Sequence, residues 1–252
     1  MELSGACAFI TGGSGGLGSV IAVALAKEGV DIAIGYRNGL ARAERVKAAA
    51  EKTGQKAVLI KIDQSDPDSI EQAILKVSEN FAGCDLLVNN AGMAAGGHSL
   101  PYGDLAAMTP EIWDEMMTVN VRGPYLVSRA AAPFLRKSKW GRIVNLGSTI
   151  GIGPWGAGAP YAPSKGAIGP LTRYLAAALA PEVTVNCVAP GLMEDTMMSS
   201  GAPESFVEGW RTRAVLEKTT SLEDVASHVV AFCKSETVTG QVLVADGGIH
   251  FN

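Results

Sequence analysis

The sequence predicts an α/β fold in which a parallel seven-stranded sheet carries helices on both of its faces. Short apolar runs of strand length alternate with longer segments whose apolar residues recur at helical spacing. Strands separated by helices indicate βαβ units, whose right-handed crossovers place helices on both faces of the sheet. The predicted strands cover residues 6–10, 31–35, 57–62, 85–88, 142–146, 183–188 and 241–245.

Several helix boundaries are marked in the sequence. Asp66 followed by Pro67 is typical of an N-cap before a helix, and Thr109-Pro110 predicts the start of a long helix that Gly123-Pro124 interrupts. A helix is expected over residues 161–180, bent by Pro170, which removes one helical hydrogen bond. Residues 192–219 show no clean period, and a mobile segment is expected there.

Composition restricts the class of protein. The chain has 252 residues, 47% of them hydrophobic and 18% charged, which excludes a disordered chain and suits one domain over residues 1–252. The net charge of −4 offers no global basic surface for nucleic acid. No apolar run approaches the roughly 18 residues of a membrane span. Four dispersed cysteines indicate buried thiols in a cytoplasmic protein, and three scattered histidines without carboxylates at ligand spacing argue against a metal site.

A glycine-rich segment, TGGSGGLG at residues 11–18, joins the first strand to the first helix. Glycines allow the backbone to approach a pyrophosphate closely, and a helix N-terminus favours negative charge. A tight structural turn would also use glycine. The preceding strand, the following helix and the N-terminal position together favour a dinucleotide site.

Ser148, Tyr161 and Lys165 form the second candidate cluster. Tyr161 and Lys165 lie four residues apart at the start of a predicted helix, so they share one face with Cβ atoms about 5–6 Å apart. The lysine charge is expected to lower the tyrosine pKa and to make the phenol a general acid or base. Ser148 follows the fifth strand, at the edge where such sheets bind ligands. Taken alone, Tyr-x-x-x-Lys is also consistent with a surface pair.

Two further segments have open interpretations. The amides of Asn89 and Asn90, after the fourth strand, are expected to bond backbone groups across neighbouring strand ends, although an ordinary Asn/Gly turn is the alternative. Apolar residues of predicted loops suggest either an adaptable substrate lid or packing against the domain or a second subunit. These are Trp155, Met193, Met197, Met198 and Trp210.

The ordered motifs of the chain resemble those of the short-chain dehydrogenase/reductases, a family of Rossmann-fold enzymes, over essentially the whole length. The most similar subgroup comprises the 3-oxoacyl-[acyl-carrier-protein] reductases and related alcohol dehydrogenases. The motifs are TGGSGGLG at 11–18, Asp63, Asn89-Asn90-Ala91-Gly92, Asn120, Ser148, Tyr161-Ala-Pro-Ser-Lys165, Pro190-Gly191, Thr239-Gly240 and Asp246-Gly247-Gly248.

This resemblance implies roles for individual residues. Tyr161 would transfer the proton, Lys165 would bind the nicotinamide ribose, Ser148 would orient the carbonyl, and Asn120 would hold a water linked to Lys165. Asp63 would contact adenine. The complete implied cofactor set is Thr11, Gly12, Ser14, Gly16, Leu17, Gly18, Tyr36, Arg37, Asp63, Gln64, Asn90, Ala91, Gly92, Tyr161, Lys165, Pro190, Gly191 and Thr196.

Two places in the chain are informative when compared with the family pattern: the segment after Pro190-Gly191 and the end of the second strand. Family members place a threonine five residues after the proline of Pro-Gly; here that position is Asp195, and Thr196 comes one residue later. NAD-specific members carry an acidic residue at the end of the second strand, where this chain has Tyr36 followed by Arg37. The arginine suits a 2′-phosphate, so a preference for NADP(H) is expected, unless Arg37 is only an exposed loop cation.

The sequence therefore predicts an NADP(H)-dependent oxidoreductase that interconverts a ketone and a secondary alcohol, with a substrate loop at about 192–219. The alternatives are a 3-oxoacyl-carrier-protein reductase, for which Lys137 and Lys139 could help to bind an acidic carrier, and a non-catalytic dinucleotide sensor. The resemblance also implies a homotetramer formed through the helices after Thr109 and Tyr161 and through the last strand. No metal, membrane or nucleic-acid partner is expected.

Overall fold

A computed structural model of the chain describes residues 1–94, 104–153, 160–194, 196, 199–200 and 202–251. Seven parallel strands form one sheet in the order β3-β2-β1-β4-β5-β6-β7. The strands are β1 (Cys7–Ile10), β2 (Asp31–Tyr36), β3 (Ala57–Lys61), β4 (Leu86–Asn89), β5 (Arg142–Leu146), β6 (Thr184–Pro190) and β7 (Val242–Ala245). The predicted parallel seven-stranded α/β fold is therefore confirmed.

Nine α-helices are described in these parts of the chain. They are α1 (Gly16–Lys27), α2 (Leu40–Glu51), α3 (Pro67–Phe81), α4 (Pro110–Met117), α5 (Gly123–Leu135), α6 (Tyr161–Gly166), α7 (Ile168–Leu179), α8 (Glu204–Arg213) and α9 (Leu222–Lys234). Successive strand residues point to opposite faces. Ile10 packs in a core with α1, α2 and α9, whereas Phe9 packs in a second core with α3, α5 and α7.

One helix start and two helix interruptions lie where the sequence contains a proline. Asp66 caps α3 as predicted, its carboxylate accepting a hydrogen bond from Asp68 N at 3.0 Å. The long helix after Thr109 is interrupted where expected, since a π-helical turn at Thr118–Arg122 precedes Gly123 and Pro124. The helix predicted over residues 161–180 consists of two helices that meet at Ala167, because Pro170 cannot donate the bond that would continue the first one.

Part of the expected mobile segment at 192–219 is a regular helix, which the sequence analysis did not predict. Helix α8 lies within it, and its Val207 and Trp210 are buried. Met193 also packs against the core, so packing is the observed role of both Met193 and Trp210. Trp155, Met197 and Met198 lie outside the described residues.

The topology brings the candidate residues to one edge of the sheet. The order of strands reverses between β1 and β4, and the carboxyl ends of parallel strands lie at the same edge. The glycine-rich loop follows β1, Asn90 follows β4, Ser148 follows β5, and Gly191 follows β6. A ligand crevice is expected at this switch point. Among the described helices, none is long and apolar enough to cross a membrane.

Candidate active site

The glycine-rich loop is fastened to the end of β4 by reciprocal hydrogen bonds. Thr11 Oγ1 accepts bonds from Asn90 N at 3.1 Å and Ala91 N at 3.0 Å. Asn90 Nδ2 in turn donates to the carbonyl oxygens of Thr11 and Gly12, both at 3.0 Å. The prediction that these amides bond backbone groups across strand ends is confirmed for Asn90 but is wrong for Asn89, whose Nδ2 donates to two side-chain oxygens instead. The loop is thus held in one shape by side chains from two neighbouring strands.

Glycine is required inside this loop because the backbone folds closely onto itself. Gly12 has a φ of +62°, in the left-handed region. A Cβ added to Gly18 would overlap the carbonyl oxygen of Gly12 and lie 2.7 Å from Asn90 Nδ2. Helix α1 begins at Gly16, so its N-terminal amides and positive dipole end lie at the carboxyl edge of the sheet. This cradle fits a dinucleotide pyrophosphate.

Thr196 reaches the same loop. A Cβ added to Gly16 would lie 3.3 Å from Thr196 Cγ2, so Thr196 lies directly over the start of α1. The one-residue displacement of this threonine from the family pattern therefore leaves it beside the candidate cofactor site. Asp195 lies outside the described residues. Leu17, the next residue of α1, is buried in the core and supports the loop from below.

The ends of β2 and β3 place Arg37 near Asp63. Asp63 Oδ1 accepts hydrogen bonds from Ser65 N at 2.9 Å and Ser65 Oγ at 2.6 Å. Burial acts to raise the pKa of Asp63, but the Ser65 bonds and the charge of Arg37 outweigh it and hold that pKa below its ordinary value. Arg37 is exposed and Tyr36 is half-buried. The predicted adenosine residues thus lie together.

Gln64 is buried rather than open to a ligand. Its Nε2 donates to the carbonyl oxygen of Val119 at 3.2 Å, in the π-helical turn, and its Oε1 has no partner in the described structure. Arg122 Nη2 donates to the carbonyl oxygen of Ser65 at 3.0 Å. These two bonds connect the Asp63 segment to the turn that carries Asn120.

Ser148, Tyr161 and Lys165 are brought together and buried. Tyr161 and Ser148 are each 9% exposed and Lys165 is 7% exposed, which excludes the interpretation of a surface pair. Ser148 Oγ accepts a hydrogen bond from Ile150 N at 3.2 Å and also bonds the Tyr161 hydroxyl. Lys165 Nζ lies 5.9 Å from the Tyr161 ring centroid and donates to the carbonyl oxygen of Leu146 at 3.0 Å.

The expectation that Lys165 gives Tyr161 a lowered pKa is wrong. Burial raises the pKa of Tyr161 to about 12, and only the hydrogen bond with Ser148 acts to lower it. Burial also lowers the pKa of Lys165 to about 8, with the Cys187 thiol acting in the opposite direction. The low-polarity surroundings thus disfavour the charged form of each side chain.

Asn120 links the π-helical turn to the helix of Tyr161. Its Oδ1 accepts from Met93 N at 2.8 Å, while its Nδ2 donates to the carbonyl oxygen of Met93 at 2.9 Å and to Ser164 Oγ at 3.0 Å. Ser164 Oγ donates to the carbonyl oxygen of Tyr161 at 2.8 Å. Asn120 therefore contacts α6 through Ser164, a residue that the sequence analysis did not single out.

Gly151 is a second position that the sequence analysis missed. It ends the short 3₁₀ turn Thr149–Gly151, which Ser148 caps. A Cβ added to Gly151 would lie 2.5 Å from the carbonyl carbon of Lys165 and overlap the amide nitrogen of Gly166. Backbone contact between this turn and α6 thus sets the position of Ser148 relative to Tyr161. A glycine that follows a candidate catalytic serine by three residues was the available signal.

The C-terminal motif packs behind Gly191. Asp246 Oδ1 accepts bonds from Gly248 N and Ile249 N at 3.0 Å, and its Oδ2 lies 2.8 Å from His250 Nδ1. His250 therefore has a carboxylate partner, contrary to the sequence analysis. A Cβ added to Gly191 would lie 2.9 Å from Asp246 Cβ. His98 lies outside the described residues.

Together, these elements form a cofactor crevice with a buried Ser-Tyr-Lys cluster at one end, the arrangement of an oxidoreductase. A family model described as enoyl-(acyl carrier protein) reductase matches residues 12–250. The chain is 36% identical to a protein of Streptomyces violaceoruber named as ketoacyl reductase 2 of the granaticin polyketide synthase, covering 96% of this chain and 95% of that protein. The chain belongs to the short-chain dehydrogenase/reductase family.

Other relatives agree with this assignment. The 3-oxoacyl-[acyl-carrier-protein] reductase FabG of Aquifex aeolicus is 32% identical, covering 99% of both chains. A solved short-chain dehydrogenase of Burkholderia cenocepacia in complex with NADP is 37% identical, with a TM-score of 0.88 over 99% of both chains. The protein is thus an NAD(P)-dependent oxidoreductase acting on CH–OH or carbonyl groups.

Proposed function

We propose that this protein is an NADP(H)-dependent oxidoreductase that interconverts a ketone and a secondary alcohol, with Tyr161 as the general acid and base. The observation that carries the proposal is the buried contact of Ser148 with Tyr161 beside Lys165, at the sheet edge that also bears the glycine-rich loop. A dinucleotide sensor would have no need of such a cluster, so we prefer an enzyme.

The residues that would hold the cofactor follow the carboxyl edge. The loop of Thr11, Gly12, Ser14, Gly16 and Gly18 would bind the pyrophosphate at the start of α1. Tyr36, Arg37, Asp63 and the Asn90-Ala91-Gly92 segment would surround the adenosine, whereas the buried Gln64 would not contact it. Lys165, Pro190, Gly191 and Thr196 would surround the nicotinamide half. When bound, the cofactor supplies or accepts a hydride at nicotinamide C4.

Each side chain of the cluster has its own role in carbonyl reduction. The Ser148 hydroxyl donates a hydrogen bond to the carbonyl oxygen and keeps it near the phenol. Tyr161 donates its proton to that oxygen as the alcohol forms. The Lys165 ammonium stabilises the phenolate that remains, and Asn120 keeps α6 in place through Ser164. Alcohol oxidation uses the same groups in reverse.

An absorbance assay at the reduced-nicotinamide band tests this proposal. The protein is mixed with NADPH and a panel of ketones that includes one β-ketoacyl thioester, and loss of absorbance is followed. Turnover of a simple ketone supports the proposed function. Tight NADPH binding without turnover of any member of the panel would contradict the proposed ketone substrate.

Reduction of a β-ketoacyl thioester is the second candidate, because relatives named as ketoacyl reductases match over nearly their full length. The suggestion that Lys137 and Lys139 bind an acidic carrier is wrong. Both follow α5 and precede the first residue of β5, so they lie at the amino edge of the sheet, opposite Ser148. Lys139 Nζ also packs over the Trp140 ring, 4.0 Å from its centroid.

Two cations support the preference for NADP(H). Arg37 follows β2 and lies close enough to Asp63 to lower its pKa. Arg42, which the sequence analysis treated as part of a solvated face, lies against Gly39 and lines an open groove of about 1160 Å³ with Ser14, Gly15 and Gly16. Arginine pairs well with phosphate. The NADP complex of one relative and the name of another, an NADPH-dependent aldehyde reductase, point the same way.

The pKa values predict a pH profile for carbonyl reduction. With a Tyr161 pKa near 12, the phenol keeps its proton throughout, whereas the Lys165 ammonium loses its proton above a pKa of about 8. The kcat/KM for reduction should therefore be flat below about pH 8 and fall as the pH rises further. Lys165→Met should have a low rate without that decline. A wild-type rate that climbs between about pH 7 and 9 would contradict this assignment.

We also propose that the protein is a homotetramer. The helices implicated by the family resemblance expose aromatic residues: Trp113 and Tyr125 are each 37% exposed, and Tyr174 is 60% exposed. Such side chains are enriched in interfaces. Light scattering at micromolar concentration should report about four times the 26.1 kDa chain mass, and a mass of a single chain would contradict the proposal.

The remaining features of the proposal concern organisation and location. We propose one cofactor-binding domain over residues 1–252, in which residues 192–219 contact the substrate. We also propose a cytoplasmic location, because all four cysteines are free and buried, as is usual in a reducing compartment.

A further inference from the structure

The Glu194 carboxylate ties together three points of the segment that follows β6. Both of its oxygens accept hydrogen bonds from Arg211 Nη2 at 2.9 Å, in the last turn of α8. Its Oε1 also accepts a bond from Thr219 Oγ1 at 2.6 Å. One carboxylate near the start of the segment is thus bonded to a helix in its middle and to a residue at its end.

This three-point connection, which we call the Glu194 clamp, lies between two places where the segment after β6 contacts the rest of the candidate cofactor site. On one side, Thr220 N donates to the carbonyl oxygen of Leu192 at 2.8 Å, and Gly191 N donates to that of Ala245 at 2.9 Å. On the other side, Thr196 lies against Gly16 at the start of α1. Glu194 is two residues from that threonine, so the clamp restricts where Thr196 can lie relative to the glycine-rich loop.

The two other ion pairs of Arg211 do not connect α8 to another part of the segment. Its Nη1 lies 3.2 Å from Glu204 and 3.4 Å from Glu208, both on α8 itself, and those carboxylates are 80% and 62% exposed. Pairs within one exposed helix contribute little. Of the three carboxylates that pair with Arg211 among the described residues, Glu194 alone joins α8 to the segment that leads to Thr196. The bonds from Thr219 and Arg211 hold the pKa of Glu194 below its ordinary value, so it stays charged near neutral pH.

We propose that Glu194 is a positioning residue for cofactor binding: the clamp holds Thr196 over the start of α1 before the cofactor arrives. A segment that is already ordered loses little conformational entropy when the cofactor binds, so its ordering does not weaken the affinity. The clamp touches no part of the site that distinguishes NADPH from NADH. Its loss should therefore weaken both cofactors equally. This inference rests on the proposed function only in requiring that the site binds a nicotinamide cofactor.

The test is a binding measurement with NADPH and NADH, by nicotinamide fluorescence without substrate. Glu194→Gln should raise both dissociation constants about tenfold, within the usual range for coupling between elements of a protein. Thr219→Val should have the same effect in smaller degree, and Thr219→Ser, which keeps the hydroxyl, should restore binding. Glu208→Gln is the matched control, since it removes an Arg211 pair on α8 alone and should bind like the wild type.

In turnover, Glu194→Gln should raise the KM for the cofactor while kcat changes less than twofold, because the Ser148–Tyr161–Lys165 cluster is intact. If the wild type binds both cofactors and Glu194→Gln binds them equally tightly, the proposed role of the clamp is wrong. That result does not affect the proposed function. Equal losses in Glu194→Gln and Glu208→Gln also overturn it. A wild type that binds neither cofactor contradicts the proposed function itself. If Glu194→Gln does not fold, the Thr219 pair decides the question.

Discussion

Replacing Tyr161 by phenylalanine is expected to lower kcat by about 10²–10⁴-fold, the usual contribution of a positioned general acid or base. Phenylalanine keeps the ring and its packing, and removes only the hydroxyl that bonds Ser148. Since the described residues place no other phenol in the cluster, we expect the proton to come from water instead. Steady-state kinetics with the best ketone of the panel measures the loss.

Cofactor binding and thermal stability are the controls for this variant. NADPH should bind Tyr161→Phe almost as tightly as the wild type, because the ring is kept and the hydroxyl is only one of the many groups that would contact the dinucleotide. Tyr174→Phe, the same chemical change on an exposed tyrosine of α7, should keep full activity. A Tyr161→Phe enzyme with near-wild-type kcat at saturating substrate would falsify the proposed mechanism.

The second large effect is expected at Arg37. Arg37→Ala should raise the KM for NADPH about ten- to a hundred-fold more than that for NADH, as loss of one charge-assisted contact of ~1.5–3 kcal/mol predicts. Only the 2′-phosphate distinguishes the two cofactors, so an arginine that binds it acts on NADPH alone. Parallel kinetics with both cofactors measure the difference.

Arg45→Ala provides the matched control for Arg37. Arg45 lies on α2 and lines the groove that Arg42 also lines, so its removal weakens the general positive field without removing the residue that follows β2. It should change both KM values little. Equal changes for the two cofactors in Arg37→Ala, or a wild type that favours NADH, would overturn the assignment of Arg37.

The sequence predicted the sheet and most of the site because those features are local in the chain. Buried strands appear as apolar runs, and the helix break at Ala167 follows from one proline, Pro170. Helix α8 was missed for a physical reason. Only Val207 and Trp210 are buried along it, too few to produce a helical period, so its stability depends on contacts with the rest of the fold.

Properties set by distant groups could not be predicted in the same way. Spacing placed Tyr161 and Lys165 on one face, but it could not reveal that both would be buried deeply enough to reverse the expected tyrosine pKa shift. The bonds of Glu194 to Arg211 and Thr219 span 17 and 25 residues of sequence. No motif encodes such contacts, because many other acidic and basic residues are available to each partner.

The contact between Gly151 and α6 indicates where new substrates could be accommodated by mutation. Because two stretches of main chain already touch there, even a methyl group at position 151 would push Ser148 and Tyr161 apart. A library aimed at new ketones should therefore leave this turn unchanged. Variation is better directed to α8, whose Phe206 is 41% exposed and whose outer positions tolerate changes of size without moving the catalytic pair.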